Sequence, residues 1–290
     1  MMIKNLRDEH KPISRARAIE LLANTPLNEG KAFLLVEGKR DEEVYCNFFS
    51  DAQCKITTTG GYIGMEVVFR ILKESASFKP LLLAIRDMDF LKVEGKQLPK
   101  DMFWTDAHDL EMMSIESGNA VKELFVSLDT PYEKAVMDII YEELKYVSYI
   151  KWYVWHNGLD YRVNDLNVAA KSEAEIGDLN LLIKEIQNKT PKRSGLSRDA
   201  VVEFIEKNKD CKRSEITNGH DFCSRLNYMF RQRRKQKSKK DIEAFIGSHF
   251  SFNSFTKTNL YKSIVDWEKR NGKVILRKEE GWNIISKKET

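Results

Sequence analysis

Two aspartates two positions apart follow a short apolar run. The run is 81–85, and Asp87 and Asp89 come just after it. In extended backbone, side chains two positions apart leave the same face of a strand, with about 6–7 Å between their Cα atoms. Like charges held that close repel unless a cation lies between them, and carboxylate oxygens are ligands that suit Mg²⁺, or alternatively Mn²⁺. The other interpretation is that Asp87 caps a turn and Asp89 is solvated.

A third carboxylate occupies a similar position in the chain. The apolar run 32–36 ends in Glu37 and Gly38, and the residues at 44–49 then place apolar side chains at helical spacing. This pattern predicts a strand, a tight turn and a helix. If this strand and the one at 81–85 are parallel, Glu37 and the aspartate pair emerge at the carboxyl edge of one sheet, where open α/β sheets bind their ligands.

The elements around these acids alternate between strand and helix. Gly60 and Gly61 end the Thr-rich second strand as a tight turn, or alternatively let the backbone approach a phosphate. The order β-α-β-α-β favours a parallel sheet with right-handed crossovers, and so an α/β fold. In chain order, the patterns predict a helix at 12–25, strands at 33–36, 53–59 and 81–85, a helix at 62–75, a polar loop at 91–103 and a helix that begins at Thr105.

The rest of the chain is expected to be largely helical. The longest predicted helix, at 131–155, is rich in tyrosine and tryptophan. This composition favours an aromatic helix interface, with stacking on unpaired bases as the alternative. The segments 273–277 and 282–285 form a short hairpin or cover the core. The predicted helices lie at 131–155 and near 172–188, 197–208, 221–231, 241–249 and 256–270.

Positive charge is concentrated in one segment. Residues 189–240 contain 16 Lys or Arg and 6 Asp or Glu, whereas the whole chain has a net charge of only +4. A basic segment on an otherwise acidic protein fits a surface that binds a polyanion. An acidic protein partner, a solvated helix face or a mobile loop are the alternatives. The residues that we assign to nucleic-acid binding, called the basic run below, are Arg231, Arg233, Arg234 and Lys235.

Composition limits the class of protein. The chain of 290 residues is 42% hydrophobic, which is enough for a packed core. Its 4 cysteines lack the close pairing of a zinc site, and the first residues lack the apolar core of a signal peptide. No run approaches the length of a membrane span. We therefore expect a soluble, cytoplasmic protein.

The ordered set of acids resembles a known fold family. Val36-Glu37-Gly38, followed by Asp87-Met88-Asp89 after a later hydrophobic strand, is similar to the Toprim pattern of topoisomerases, primases and overcoming-lysogenization-defect nucleases. The segments 104–111 and 218–222 make the chain look most like the Toprim-type effectors of anti-phage systems such as PARIS. The resemblance implies a helical extension at 1–29, a Toprim-like catalytic domain at 30–116 and a mainly helical domain at 117–290.

The resemblance also implies roles for the acids. Asp87 and Asp89 would hold Mg²⁺, Glu111 would be a further ligand, and Glu37 would act as general acid/base or as a ligand of a second metal ion. We find no catalytic tyrosine placed as in topoisomerases and no zinc motif as in bacterial primases. The resemblance therefore favours a nuclease over strand passage or priming.

The same resemblance gives expectations about substrate and partners. It implies an endoribonuclease that cleaves tRNA as a toxic effector, a cognate ABC-type ATPase that controls it, no membrane association, and a homodimer when active. Two alternatives stay open. One is a DNA endonuclease of the overcoming-lysogenization-defect type, and the other is a non-catalytic Toprim-like regulatory subunit of an ATPase.

Overall fold

The computed structural model describes residues 6–133, 135–191, 193–235 and 237–277. The chain divides into two compact units. The first is formed by the chain up to Asp87, by Leu98–Thr105 and by the chain from Ser251, and the second by Met88–Gln97 and Asp106–Phe250.

The first unit contains a four-stranded, entirely parallel sheet. Its strands are β1 (Ala32–Val36), β2 (Cys54–Thr58), β3 (Leu82–Arg86) and β4 (Met102–Trp104), in the spatial order β2-β1-β3-β4. Every residue of β1 and β3 is buried, as expected for central parallel strands covered on both faces. The predicted α/β fold with a parallel sheet and a largely helical C-terminal part is confirmed.

Helices make up most of the remaining described chain. In chain order they are α1 (Leu6–Ala23), α2 (Lys39–Tyr45), α3 (Tyr62–Glu74), α4 (Leu110–Ser117), α5 (Ala120–Ser127), α6 (Ala135–His156), α7 (Glu173–Ile176), α8 (Leu179–Lys189), α9 (Arg198–Asn208), α10 (Arg213–Ile216), α11 (Gly219–Gln232), α12 (Lys239–Ser248), α13 (Phe252–Phe255) and α14 (Asn259–Asn271). None of them combines the length and the apolarity needed to cross a membrane, within the residues described.

The core of the first unit includes one face of the sheet. Residues of α1 and α3, among them Ile19 and Val68, pack with Phe33, Leu35 and Ala84 of the central strands. A second aromatic cluster includes Phe48 just after α2 and Phe255 in α13, whose rings stack at 4.5 Å. Burying such large apolar side chains contributes about 1.5–3 kcal/mol each, which is what holds the sheet between its helices.

Several predicted boundaries are wrong. The polar loop expected at 91–103 contains the start of β4, whose backbone pairs with β3 through Ala84 and Met102. The helix expected from Thr105 begins only at Leu110, because Asp109 caps it: its carboxylate accepts the Met112 amide at 2.9 Å.

One longer helical prediction is divided in the structure, and another begins later than expected. The helix expected near 172–188 is interrupted by Gly177, after which Asp178 caps α8. The one expected near 256–270 is α14, capped by Thr258. Of the tail, Leu276 makes an antiparallel bridge to Phe49, while the segment 282–285 lies outside the described residues.

Candidate functional site

Two of the predicted site residues meet in the first unit. Glu37 follows the last residue of β1 and Asp87 follows the last residue of β3, and these strands are parallel neighbours. The Asp87 amide donates a hydrogen bond of 3.2 Å to Oε1 of Glu37. The structure therefore brings both acidic residues to the carboxyl edge of the sheet.

A glycine turn fixes the backbone of Glu37. The amides of Gly60 and Gly61 donate to the Glu37 carbonyl at 3.1 and 3.0 Å. Both glycines have positive φ, at 82° and 110°, which is a conformation that side chains with a Cβ atom rarely adopt. Of the two interpretations offered for this pair, the tight turn is the one observed, and its amides serve the protein's own backbone.

A buried arginine fixes the backbone of Asp87. Arg86 is only 4% exposed, and its guanidinium forms an ion pair with Glu66. Its Nε donates to the Asp87 carbonyl at 3.3 Å, while the Arg86 carbonyl accepts the Thr105 amide at 3.1 Å. Residues on α3, on β3 and just after β4 thus hold the chain at the point where Asp87 leaves the sheet.

Asp89 lies in the second unit and does not have the extended geometry expected of it. Strand β3 ends at Arg86, and Asp89 has a left-handed φ of 47°. Its amide donates to the His108 carbonyl at 2.7 Å, while Met88 and Phe90 on either side are buried. The prediction that both aspartates leave one face of a regular strand is therefore wrong.

Glu111 occupies the first turn of α4, and the residues around it are tightly packed. It is 7% exposed and sits two residues after Asp109, which is 3% exposed. The Asp109 carboxylate accepts the Met112 amide on Oδ1 and the Gly219 amide, at 2.7 Å, on Oδ2. Burial raises the pKa of Asp109, but its hydrogen bond to His108, the charge of His108 and the two amides outweigh burial and hold that pKa below its usual value.

Two residues missed by the sequence analysis lie beside this cluster. His220, in the first turn of α11, places Nδ1 2.7 Å from Oε1 of Glu243 on α12. This hydrogen bond raises the pKa of His220 against the opposing effect of burial, and the charges of Glu111 and Asp109 raise it further. The segment 218–222 carries part of the family resemblance, but its residue types do not identify Glu243 as the partner of His220.

The basic run lies at the other end of α11. Arg231 is in its last turn, so that the twelve-residue separation from Gly219 corresponds to about 18 Å along the helix axis. Arg233 contacts the ring of Phe125. Within the described residues, no carboxylate forms an ion pair with any member of the basic run.

The acidic residues at the sheet edge fit a magnesium ion only if the ion has few protein ligands. No group of three or more His, Cys, Asp or Glu side chains in the described ranges is arranged to hold a metal ion. Mg²⁺ keeps several waters and commonly uses one or two protein carboxylates together with substrate phosphates. Glu37 and Asp87, both oxygen donors anchored at the sheet edge, satisfy that smaller requirement.

Comparison with known proteins assigns the chain to no family. It matches no protein-family model and no curated protein.

Proposed function

We propose that this chain is a metal-dependent nuclease of the Toprim type. The observation that carries the proposal is the meeting of Glu37 and Asp87 at the carboxyl edge of an all-parallel sheet. Two carboxylates fixed there by their backbone are a recurring arrangement for divalent-metal phosphate chemistry. The basic run adds a surface for a polyanionic substrate.

The proposed roles of the acids are those that the sequence resemblance implies. Asp87 would hold Mg²⁺ or Mn²⁺ at the sheet edge. The sequence resemblance alone names Asp89 and Glu111, both in the second unit, as further ligands. A metal ion bound there would supply polarisation of the scissile phosphate and stabilisation of the leaving oxygen. Glu37 would exchange a proton with the nucleophile as general acid/base or bind a second ion. Arg86 orients the Asp87 backbone, and the turn at Gly60 orients that of Glu37.

The finer expectations have the sequence resemblance as their support. It favours tRNA as the substrate, cleavage as a toxic response to phage, a cognate ABC-type ATPase as the partner and a homodimer as the active form. A cytoplasmic location agrees with such a partner and substrate. DNA cleavage and a purely regulatory role are the competing outcomes of the experiment.

Cleavage by matched variants tests the proposal. Purified protein is incubated with total tRNA or with plasmid DNA in Mg²⁺ or Mn²⁺, and the same variants are expressed in cells to score toxicity. Glu37→Gln and Asp87→Asn should abolish cleavage and toxicity while remaining folded. Glu43→Gln, an exposed change on α2 in the same unit, should retain both.

The result distinguishes the candidates. Cleavage of tRNA but not plasmid supports the ribonuclease, and the reverse supports the DNA endonuclease. If the two site variants remain as toxic as the parent protein, catalysis by these acids is rejected. If the parent protein neither cleaves a substrate nor harms cells, the regulatory role replaces catalysis.

A further inference from the structure

A cleft in the second unit has features that the nuclease proposal does not use. It lies between the last turn of α6 and one face of α9, with a volume of about 430 Å³. That volume falls in the range of about 300–1,000 Å³ typical of small-molecule pockets. The side chains that matter for its chemistry are Glu94, Trp152, Tyr153, His156, Glu203 and Phe204.

Aromatic rings form the floor and walls of the cleft. The Phe204 ring lies 5.0 Å from that of Trp152, 5.6 Å from that of Tyr153 and 5.2 Å from that of His156, measured between ring centroids. Trp152 and Phe204 are buried, Tyr153 is half-buried and His156 is exposed. Planar cations stack favourably on such rings, and a guanidinium does so more readily than an ammonium because it is planar and weakly hydrated.

A carboxylate sits among these rings. Oε1 of Glu94 accepts a hydrogen bond of 2.5 Å from Trp152 Nε1 and lies 2.7 Å from Nδ1 of His156. The Glu94 side chain is only 15% exposed. No lysine or arginine forms an ion pair with it in the part of the chain that the structure describes. A carboxylate that has lost most of its water is stabilised by a cation only when that cation also donates hydrogen bonds to its remaining lone pairs, as a guanidinium does.

The other charged pair on the cleft does not offset the charge of Glu94. Glu203 is already paired with Lys207 at 2.6 Å, one turn along α9, so that this pair is close to neutral. Among the described residues Glu94 has His156 and Trp152 as partners but no lysine or arginine, so that its charge disfavours a phosphate group. A ligand that offers a flat cation with several N–H donors matches both the ring faces and the carboxylate.

We propose that this cleft binds a guanidinium group, with Glu94 as its ion-pair partner and the accessible rings of Tyr153 and His156 as its stacking surface. The group belongs either to a free guanidino compound or to an arginine side chain of a partner protein. The proposal is independent of the nuclease proposal, because the residues that form the cleft are not those assigned to phosphodiester chemistry.

Isothermal titration calorimetry of the full chain tests the inference. One probe is methylguanidinium, and the other is an arginine residue acetylated and amidated at its ends; the matching lysine derivative and guanosine are the comparison ligands. Saturable binding of the guanidinium probes is expected, and Glu94→Gln should weaken it by about tenfold or more. The glutamine oxygen still accepts the Trp152 hydrogen bond, so that the fold is retained.

A control variant separates local from general charge effects. Glu206→Gln removes an exposed carboxylate of α9 that does not line the cleft, and it should leave the affinity unchanged. Tighter binding of the capped arginine than of methylguanidinium identifies a partner's arginine as the ligand, and the reverse identifies a free compound. The inference is overturned if neither probe binds, if Glu94→Gln binds as well as the parent, or if the lysine derivative or guanosine binds more tightly.

Discussion

Replacing Gly219 by alanine should destabilise the protein, although alanine is normally the better helix former. Gly219 is the first residue of α11, and its backbone lies against the first turn of α4. A Cβ atom added there would come within 2.4 Å of the Glu111 Cβ, 2.5 Å of Asp109 Oδ1 and 2.9 Å of the Met112 amide nitrogen. Two of these atoms belong to the backbone or to its first side-chain carbon, so that no rotamer change relieves the overlap.

The magnitude follows from the interactions that must change. Overpacking of a dense contact costs about 1–3 kcal/mol. Moving α11 away also weakens the hydrogen bond that the Gly219 amide donates to the Asp109 carboxylate, a charged type worth about 1.5–3 kcal/mol. Helix propensity returns at most about 1 kcal/mol. The free energy of unfolding should therefore fall by about 2–4 kcal/mol.

Thermal and urea unfolding of the Gly219→Ala variant measure this change, with an expected fall in Tm on the order of 10 °C. Gly38→Ala is the matched control, since Gly38 caps α2 with an ordinary φ of −132° and its added Cβ would meet only Asp41 Oδ2, at 3.6 Å. That control should change stability by less than about 1 kcal/mol. A Gly219→Ala protein as stable as the parent would refute the steric argument and with it the contact between α4 and α11.

Three further perturbations have distinct expected outcomes. Arg225→Ala removes a fully buried guanidinium that pairs with Glu143 at 2.7 Å, and should cost about 3–5 kcal/mol in urea unfolding; a cost under 1 kcal/mol would contradict the buried pair. Glu243→Gln should lower the pKa of His220, followed by NMR titration of its ring protons, and an unchanged pKa would rule out their hydrogen bond. Because that pKa is raised in the folded state, the stabilisation by this pair is complete below the ordinary value of 6.5 and is lost as the pH rises through the raised value. Replacing the four residues of the basic run by alanine should reduce the slope of log K against log salt for RNA binding by about 3, and an unaltered slope would mean that the run does not contact phosphates.

The sheet could be predicted because its central strands are continuous apolar runs bounded by clear turn signals. The observed strands 32–36 and 82–86 are buried on both faces, and the Thr-rich second strand ends at a glycine pair. A short run made only of apolar residues indicates a strand that is buried on both faces, and its length and the turn residues beside it locate the strand. The parallel order then follows from the helices between them.

The fourth strand lacks those signals. It has only three residues, and Asp101 before it adopts a left-handed φ of 68°, which the residues around it do not predict. Its position at the edge of the sheet is set by pairing with β3, an interaction between distant segments of the chain. The predicted start of α4 is wrong for a related reason, because Thr105 is also a common capping residue and the local sequence does not exclude it in favour of Asp109.

The candidate site also has one part that the sequence predicts and another that it does not. Glu37 and Asp87 could be placed together from sequence because each follows a recognisable strand, and parallel neighbours share a carboxyl edge. The surroundings of Glu111 could not, because they depend on α11 and α12, more than 100 residues away. His220 and Glu243 have ordinary neighbours in the chain, and only their 2.7 Å contact in the fold distinguishes them.

Asp109, in the segment 104–111, links the N-terminus of α4 to that of α11, which begins in the segment 218–222. A helix N-terminus leaves amides that need acceptors, and two such ends packed together would leave buried donors that cost about 1–3 kcal/mol each. One carboxylate meets this need for both helices, since Oδ1 takes the Met112 amide and Oδ2 takes the Gly219 amide. The approach this requires leaves no space for a side chain at Gly219. The acid in one segment and the glycine in the other are therefore two halves of a single contact, and this contact fixes Glu111 and His220 on adjacent first turns.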